Sequence, residues 1–522
     1  MTKLCSAADA VATIKNGQSV ASVGVIGWIT PDDLLKALAD RFKETGSPRD
    51  LTFYFPVATG DALGIRGMDH VAIPGLMKRL VSGSYVNSLN PLTGKRPEVM
   101  RLIRENQIEA YSWPIGASMH WLREVGRRSP GYFTEIGLGS YIDPRQKGGK
   151  LTSKTVEDLV HLTELGGKPY LFYPTWPLDV GFIRATAADE FGNLSFEDEP
   201  IISASLAIAL AVKACGGRVI AQVKRMVKRG SRPAREVKVP GVLVDHIVLA
   251  PNQMMTTDIP FDGGYLGGVP FANQSLPHLP LGPDKVIARR AAKEVKPGEV
   301  SIFGFGASSD APMVMTEDGA FADGKIFDYM FTTEHGPFGG VVMSGWQFSA
   351  NLCPEALLDG VSQFDFIDGG GCKFAALAFA EFDAGGNVNV SRFGIANPGA
   401  GGFIDIAYNA ERLVFTGTLT TGGLKVDIGK SGLRVANEGR IRKFVDNAEE
   451  ITYPLQKNVA ERGQRAKLIT ERAVFDVEAD GLVLAEVAQG VDPRRDVLDL
   501  MAFEPKRVVD PLPFMDKSLF AE

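Results

Sequence analysis

One carboxylate stands out for where the chain delivers it. In the stretch FDYMFTTEHGPFGG, residues 327–340, Phe327, Tyr329, Phe331 and Thr333 alternate with Asp328, Met330, Thr332 and Glu334. That period of two gives a strand one aromatic, buried face, and it predicts Glu334 as the last strand residue. His335 follows, then Gly336, Gly339 and Gly340, which permit positive φ and close approach of another group to the backbone. A carboxylate so placed can face a ligand. Taken alone, however, a glutamate at a strand end is ordinarily solvated and inert. His335 reads as a spacer rather than a base, since adjacent strand residues point to opposite faces.

Two glycine clusters are candidates to surround it. Gly304-Phe-Gly306-Ala-Ser308-Ser309 carries part of a dinucleotide fingerprint but lacks the third glycine. It also fits a tight turn at a helix start, where free amides face an anion or hold a carboxylate. Gly399-Ala-Gly401-Gly402-Phe403 is the stronger cluster. Its exposed amides could hold a developing oxyanion, with a plain close-packed turn as the equal alternative. The six histidines are dispersed and no G-x-S-x-G elbow is present, so nothing supports a Ser-His-Asp triad. Cys5, Cys215, Cys353 and Cys372 have no C-x-x-C spacing, so neither a disulfide framework nor a metal site is expected.

The elements that must position these residues alternate. A helix from Ala7 leads into a strand from Ser19, a turn containing Gly24 and Gly27, and a second helix opened by Pro31-Asp32-Asp33 with Leu34, Leu35 and Leu38 on one face. Similar units recur at residues 51–55 before Gly60, at 108–111 before Gly116, and at 219–223 after a helix over 205–214. This alternation predicts α/β layers around a mostly parallel sheet. Residues 251–283 hold six prolines, Pro270 among them, and mark a flexible linker and domain boundary. Beyond it the order repeats: helix, Pro297-Gly298 turn, strand over 300–303, glycine turn. Asp189-Glu-Phe-Gly192-Asn193 is echoed by Asp383-Ala-Gly-Gly386-Asn387. The expectation is two related halves, 1–285 and 286–522, with a ligand between them.

Composition bounds the function. With 23% charged and 45% hydrophobic residues over 522 positions, the chain has material for more than one core. A net charge of -6 argues against nucleic acid, since no basic excess exists to displace counterions. The basic run at 224–235 reads as a solvated face. The longest apolar stretch, 201–214, is too short to span a bilayer and the start of the chain lacks a signal-peptide core; a cytoplasmic protein with no membrane partner is expected.

As a set, Thr332-Thr333-Glu334-His335-Gly336 through Gly339-Gly340, the Asp-Gly-Gly-Gly of 368–371, Asn389-Val-Ser-Arg-Phe-Gly394, Gly401-Gly402-Phe403 and Phe415-Thr-Gly417 through Gly422-Gly423-Leu424-Lys425 resemble family I CoA-transferases. The single-chain acetate/propionate type with fused α and β halves is the nearest likeness. The resemblance covers nearly the whole chain. It implies an α/β fold of two related CoA-transferase-type domains, and Glu334 as the nucleophile that carries CoA as a glutamyl thioester. It also implies Gly401 and Gly402 on the oxyanion side, with Gly304 and Gly306 near CoA and Gly24, Gly27, Ile115 and Gly116 near the substrate. Acyl-CoA and a carboxylic acid would be the ligands, CoA entering as substrate with no permanent cofactor, and the protein a homo-oligomer, dimer or tetramer, of acyl-CoA and fatty acid metabolism.

Three departures touch specificity. Ile115 stands where the family often has Gln, Ser308 where a proline ends G-x-G-x-P, and Lys373 where an acid is usual. Loss of the polar group at 115, with Trp28, Trp113 and Trp121, suggests a larger or more apolar acyl group than acetate. The rivals are an acyl-CoA hydrolase or hydratase on the same fold, with Glu334 as base on water, and a ligand-sensing protein. A sensor would carry a DNA-binding segment, and the first twenty residues hold none.

Overall fold

Seven parallel strands organise the first half of the chain: β1 (Ser19–Ser22), β2 (Leu51–Phe55), β3 (Met77–Ser82), β4 (Glu109–Ser112), β5 (Val180–Asp189), β6 (Arg218–Val227) and β7 (His246–Leu249). They lie in the order β7-β6-β5-β1-β2-β3-β4. The structure, a computed structural model, describes every residue except 1, 2, 88, 270, 272–275 and 431; Pro270 of the expected linker is outside the described residues. Every residue of β5 is buried, as both faces of a parallel sheet must be when helices cover them. Helices α1 (Asp32–Thr45), α2 (Ile115–Arg127) and α3 (Ser205–Ala214) supply part of that cover. On α1 the buried stripe is Leu34, Leu35, Leu38 and Ala39, and left-handed Gly46 closes the helix by returning its N–H to Phe42 O.

The second half repeats the plan. Strands β8 (Val300–Phe303), β9 (Met330–Thr332), β10 (Phe374–Ala378), β11 (Arg412–Thr416) and β12 (Arg465–Ile469) run parallel in the order β12-β11-β10-β8-β9. Substituting strand for strand, this is the order β7-β6-β5-β1-β2. Antiparallel strands extend both edges, and helices α4 (Gly360–Asp368) and α5 (Phe403–Asn409) pack toward the first half. The two Asp-Gly-Asn turns close alike: Gly192 N–H reaches Asp189 O at 2.9 Å and Gly386 N–H reaches Asp383 O at 3.0 Å. Each aspartate also takes hydrogen bonds from its asparagine.

The halves touch through backbone as well as side chains. Tyr85 N–H donates to Pro398 O and Tyr141 N–H to Ile451 O, both at 2.7 Å, and Gly360 N–H to Ser203 O at 2.9 Å. The connecting segment is less loose than its prolines suggest. Cys353 N–H donates to Gly264 O, Met255, Thr256 and Tyr265 are buried, and the Tyr265 ring stands edge-on to Trp28 at 5.2 Å. Within the basic run Arg225 pairs with Asp198 and Glu197 and Arg232 with Glu197, while Lys228 and Arg235 are exposed as a solvated face.

Candidate active site

Glu334 does not end a strand. β9 stops at Thr332, and Phe327 belongs to a 3₁₀ stretch, Ala322–Asp328, bent by left-handed Asp323 and Gly324. Phe327 is therefore 71% exposed instead of buried. Glu334 lies in the turn beyond β9, and hydroxyls and an amide hold that turn. Thr332 Oγ1 donates to Pro337 O at 2.6 Å, Thr333 Oγ1 to Ser349 O at 2.8 Å, and buried Gln363 of α4 gives Nε2–H to Thr333 O at 2.7 Å. Gly336, Gly339 and Gly340 all have positive φ, so the chain doubles back without strain.

The side chain, 15% exposed, points at the second glycine cluster. Gly402 N–H donates to Glu334 Oε2 at 2.7 Å, the length of a charge-assisted bond. A Cβ at residue 402 would fall 2.1 Å from that oxygen, so only glycine lets the amide in. The loop carrying this amide is clamped by the first half. Ile115 N–H donates to Gly401 O at 2.9 Å and Gly401 N–H to Gly83 O at 3.1 Å. Gly83 follows β3 and Ile115 opens α2 just after β4, so the clamp comes from the carboxyl ends of parallel strands, where such folds gather their ligands. Among the described residues no group of three or more metal-type ligands assembles anywhere, and no helix is long and apolar enough to cross a membrane.

A family model described as coenzyme A transferase matches residues 5–250. The chain is 40% identical over 520 residues to an acetate CoA-transferase, YdiF, of Escherichia coli strain K12, covering 99% of this chain and 95% of that one. It is 37% identical to a caffeate CoA-transferase of Acetobacterium woodii, covering 100% and 98%. The crystal structure of the acyl-CoA transferase YdiF apoenzyme from E. coli O157:H7 superposes with a TM-score of 0.89 at 39% identity, covering 99% and 96%. The chain is a single-chain family I CoA-transferase.

In this transferase the other expected residues fall at two distances from the carboxylate. Gly116 donates N–H to Asp405 Oδ2 at 3.3 Å, next to the Gly401 clamp. Gly304 and Gly306 follow β8, the neighbour of β9, and so share its carboxyl edge. Their partners are Ala376 O, Ser308 Oγ and Ser309 Oγ, and among the described residues neither bonds Glu334. Gly24 and Gly27 follow β1 and pack against Thr59, Thr256 and Thr257. The adjacent Trp28 reaches across to the second half, Nε1–H to Phe348 O at 3.1 Å. Trp28, Trp113 and Trp121 are all fully buried, and the last two pack edge-on or tilted against each other and against Tyr54, Tyr173 and Trp176. They are core and say nothing of the acyl group. Lys373 pairs with Glu411 at the surface, away from the site.

Two features escaped the sequence reading. His335 is not turned away: because the chain has left the strand, its ring is buried with Nε2 3.2 Å from Glu334 Oε1. Asp405, one turn into α5 from Gly402, is a buried carboxyl. Burial, then the neighbouring Asp368 charge and, more weakly, Glu334, hold it protonated well above the usual carboxylate range. Asp368 is raised by burial as well, offset by His120, whose Nε2 lies 2.9 Å from Asp368 Oδ2. A lone acid inside the apolar helix FIDIAYN was the available signal for Asp405; nothing local marks His335.

Proposed function

We propose that this transferase moves CoA between an acyl-CoA and a carboxylic acid by a ping-pong route through Glu334. A glutamate oxygen attacks the thioester carbon, the C–S bond breaks, and CoA leaves as thiolate from a mixed anhydride. The thiolate then adds to the glutamyl carbonyl, the first acid leaves as its carboxylate, and a glutamyl-CoA thioester remains for a second acid to reverse. The observation that carries this reading is the Gly402 amide 2.7 Å from Glu334 Oε2. A preorganised donor there stabilises the oxyanion formed when thiolate adds to the glutamyl carbonyl. The low exposure of Glu334 suits an anhydride that must not meet water. YdiF from E. coli O157:H7 has also been crystallised as a thioester complex with CoA, which supports the same intermediate here.

Residues 1–285 and 286–522 are the two domains of this reading, with Gly304 and Gly306 beside CoA and Gly24, Gly27, Ile115 and Gly116 on the acyl side. Ile115, fully buried beside Gly401, is an apolar wall there and favours apolar acyl groups. The relatives named for acetate and caffeate span small aliphatic to aromatic acids. A homo-oligomeric, cytoplasmic enzyme of fatty acid metabolism is the corresponding setting.

The test is intact mass after incubation with acyl-CoAs of increasing size, with and without hydroxylamine. Wild type should gain one CoA on the peptide holding Glu334. Glu334→Gln should gain none and lose acid-to-acid transfer by several orders of magnitude, as lost covalent nucleophiles do. Thiol release at full rate without acceptor acid would instead favour the hydrolase.

A further inference from the structure

The mechanism above uses one donor on Glu334, the Gly402 amide, yet each carboxylate oxygen has a nitrogen beside it, the second at ion-pair distance and not yet aligned as a hydrogen bond. Gly402 N–H holds Oε2, and His335 Nε2 lies 3.2 Å from Oε1. The imidazole is 3% exposed, and its Nδ1 is buried without a hydrogen-bond partner. An imidazole facing a carboxylate oxygen offers its proton on that side. Placing the proton on Nε2 leaves Nδ1 a bare acceptor, which avoids burying an unpaired N–H. The backbone that carries the ring is anchored: His335 N–H donates to Thr333 Oγ1 at 3.4 Å, and Thr333 Oγ1 is itself tied to Ser349 O. Catalytic hydrogen bonds are often long before substrate binds and tighten in the complex.

The two oxygens have different fates in the covalent route. One attacks the thioester carbon and later departs within the released acid. The other stays on the glutamyl carbon throughout and becomes an oxyanion when thiolate adds. The oxyanion needs a short donor that does not move, which is the Gly402 amide at Oε2. The attacking oxygen needs one lone pair free for carbon, together with a donor that can follow the charge as it returns to that atom.

We propose that His335 is a catalytic residue of this transferase, its Nε2–H marking Oε1 as the oxygen that attacks and then leaves; the proposal rests on the covalent reading above. In the first step Oε1 bonds the acyl carbon and the C–S bond breaks, its electron pair leaving with CoA thiolate. In the second the thiolate adds to Cδ, charge builds on Oε2, and the Cδ–Oε1 bond breaks with its pair going to Oε1. That oxygen departs as part of the product carboxylate, hydrogen-bonded to His335 as its charge appears. No net proton is consumed.

His335→Gln keeps an N–H near the Nε2 position; His335→Met keeps the length and removes the donor. Single turnover with acetyl-CoA, read as growth of the CoA adduct by quenched-flow intact mass, separates them. The methionine variant should form adduct about 10²-fold more slowly at unchanged half-saturating acetyl-CoA, on the scale of losing one transition-state donor, and glutamine should restore the rate to within about tenfold. Thermal melts check folding. Should the methionine variant fold poorly, His335→Asn, which withdraws the donor, replaces it and should be the slow member of the pair. Equal rates in donor and non-donor variants, or a change in half-saturation alone, overturn the role of His335 and leave the covalent reading standing. Absence of any adduct in wild type overturns both.

Discussion

At the scale of single residues, the distance between Glu334 and Gly402 sets what the site can do. Gly402 has φ -86° and ψ 6°, a conformation any residue adopts, so alanine there strains no backbone. Its Cβ would nevertheless meet Glu334 Oε2 at 2.1 Å and push the carboxylate off the amide. Gly402→Ala should therefore lower the rate of CoA transfer by ~10²-fold or more, as displacements near 1 Å do, while the melting temperature changes little. Equal losses of stability and activity would contradict this. Glu334→Asp tests the same geometry from the other side. Withdrawing the carboxylate by about one C–C bond, ~1.5 Å, opens room for water, and a carboxylate holding water is a general base. The variant should lose most acid-to-acid exchange and gain acyl-CoA hydrolysis, read as free thiol released without acceptor. A variant inert in both assays would refute the proposed arrangement of nucleophile and amide.

At the scale of elements, the opening of α2 organises the site by giving two consecutive amides to the second half: Ile115 N–H to Gly401 O and Gly116 N–H to Asp405 Oδ2. Further along α2, His120 meets Asp368 and Arg123 meets Asp365, both from α4. Asp405 makes this contact pH-dependent. Burial first, then the facing Asp368 and Glu334 charges, push its carboxyl pKa well above the ordinary range in the fold. An unfolded carboxyl ionises near pH ~3.9. Between that value and the raised folded pKa the native state binds more protons, so stability falls as pH rises. Asp405→Asn ionises in neither state and escapes that loss. Its stability relative to wild type should grow from about pH 4 upward, by at most ~1.4 kcal/mol per pH unit, as measured by urea melts at pH 4.5, 6 and 7.5. A gap that is flat or narrows with pH would show that Asp405 ionises normally.

At the scale of the whole molecule, two copies of one five-strand plan face each other, and each supplies what the other lacks. The second half carries the carboxylate and the donor amide; the first half holds the loop that presents the amide. Backbone bonds between halves at Tyr85, Tyr141, Gly360 and Gly401, with Lys147 on buried Glu450 at 2.7 Å, do not depend on the covalent connection. A protease site inserted after exposed Gly268 should therefore yield a nicked enzyme whose halves elute together on size exclusion and retain most activity. Separation of the halves on cutting would mean that the connection, not the interface, holds them.

Local pattern in the sequence was enough to locate β8, β2 and α3 and the glycine turns, because apolar periodicity and turn-forming residues act over a few neighbours. The motif set around Glu334, Gly401 and Gly402 was likewise enough to indicate the family. Tertiary structure decided the rest. Alternation of Phe327, Tyr329 and Phe331 read as a long strand, but left-handed residues at 323 and 324 exposed Phe327 and shortened β9, which carried Glu334 and His335 into a turn. Strand geometry would have set those two side chains on opposite faces; the turn brought them within 3.2 Å. The tryptophans that suggested an acyl pocket proved to be core, since aromatic residues bury wherever packing offers room. The raised pKa of Asp405 comes first from burial and then from the Asp368 and Glu334 charges, against the Gly116 amide, and these residues stand 37 to 289 positions away, so that only the fold assembles them.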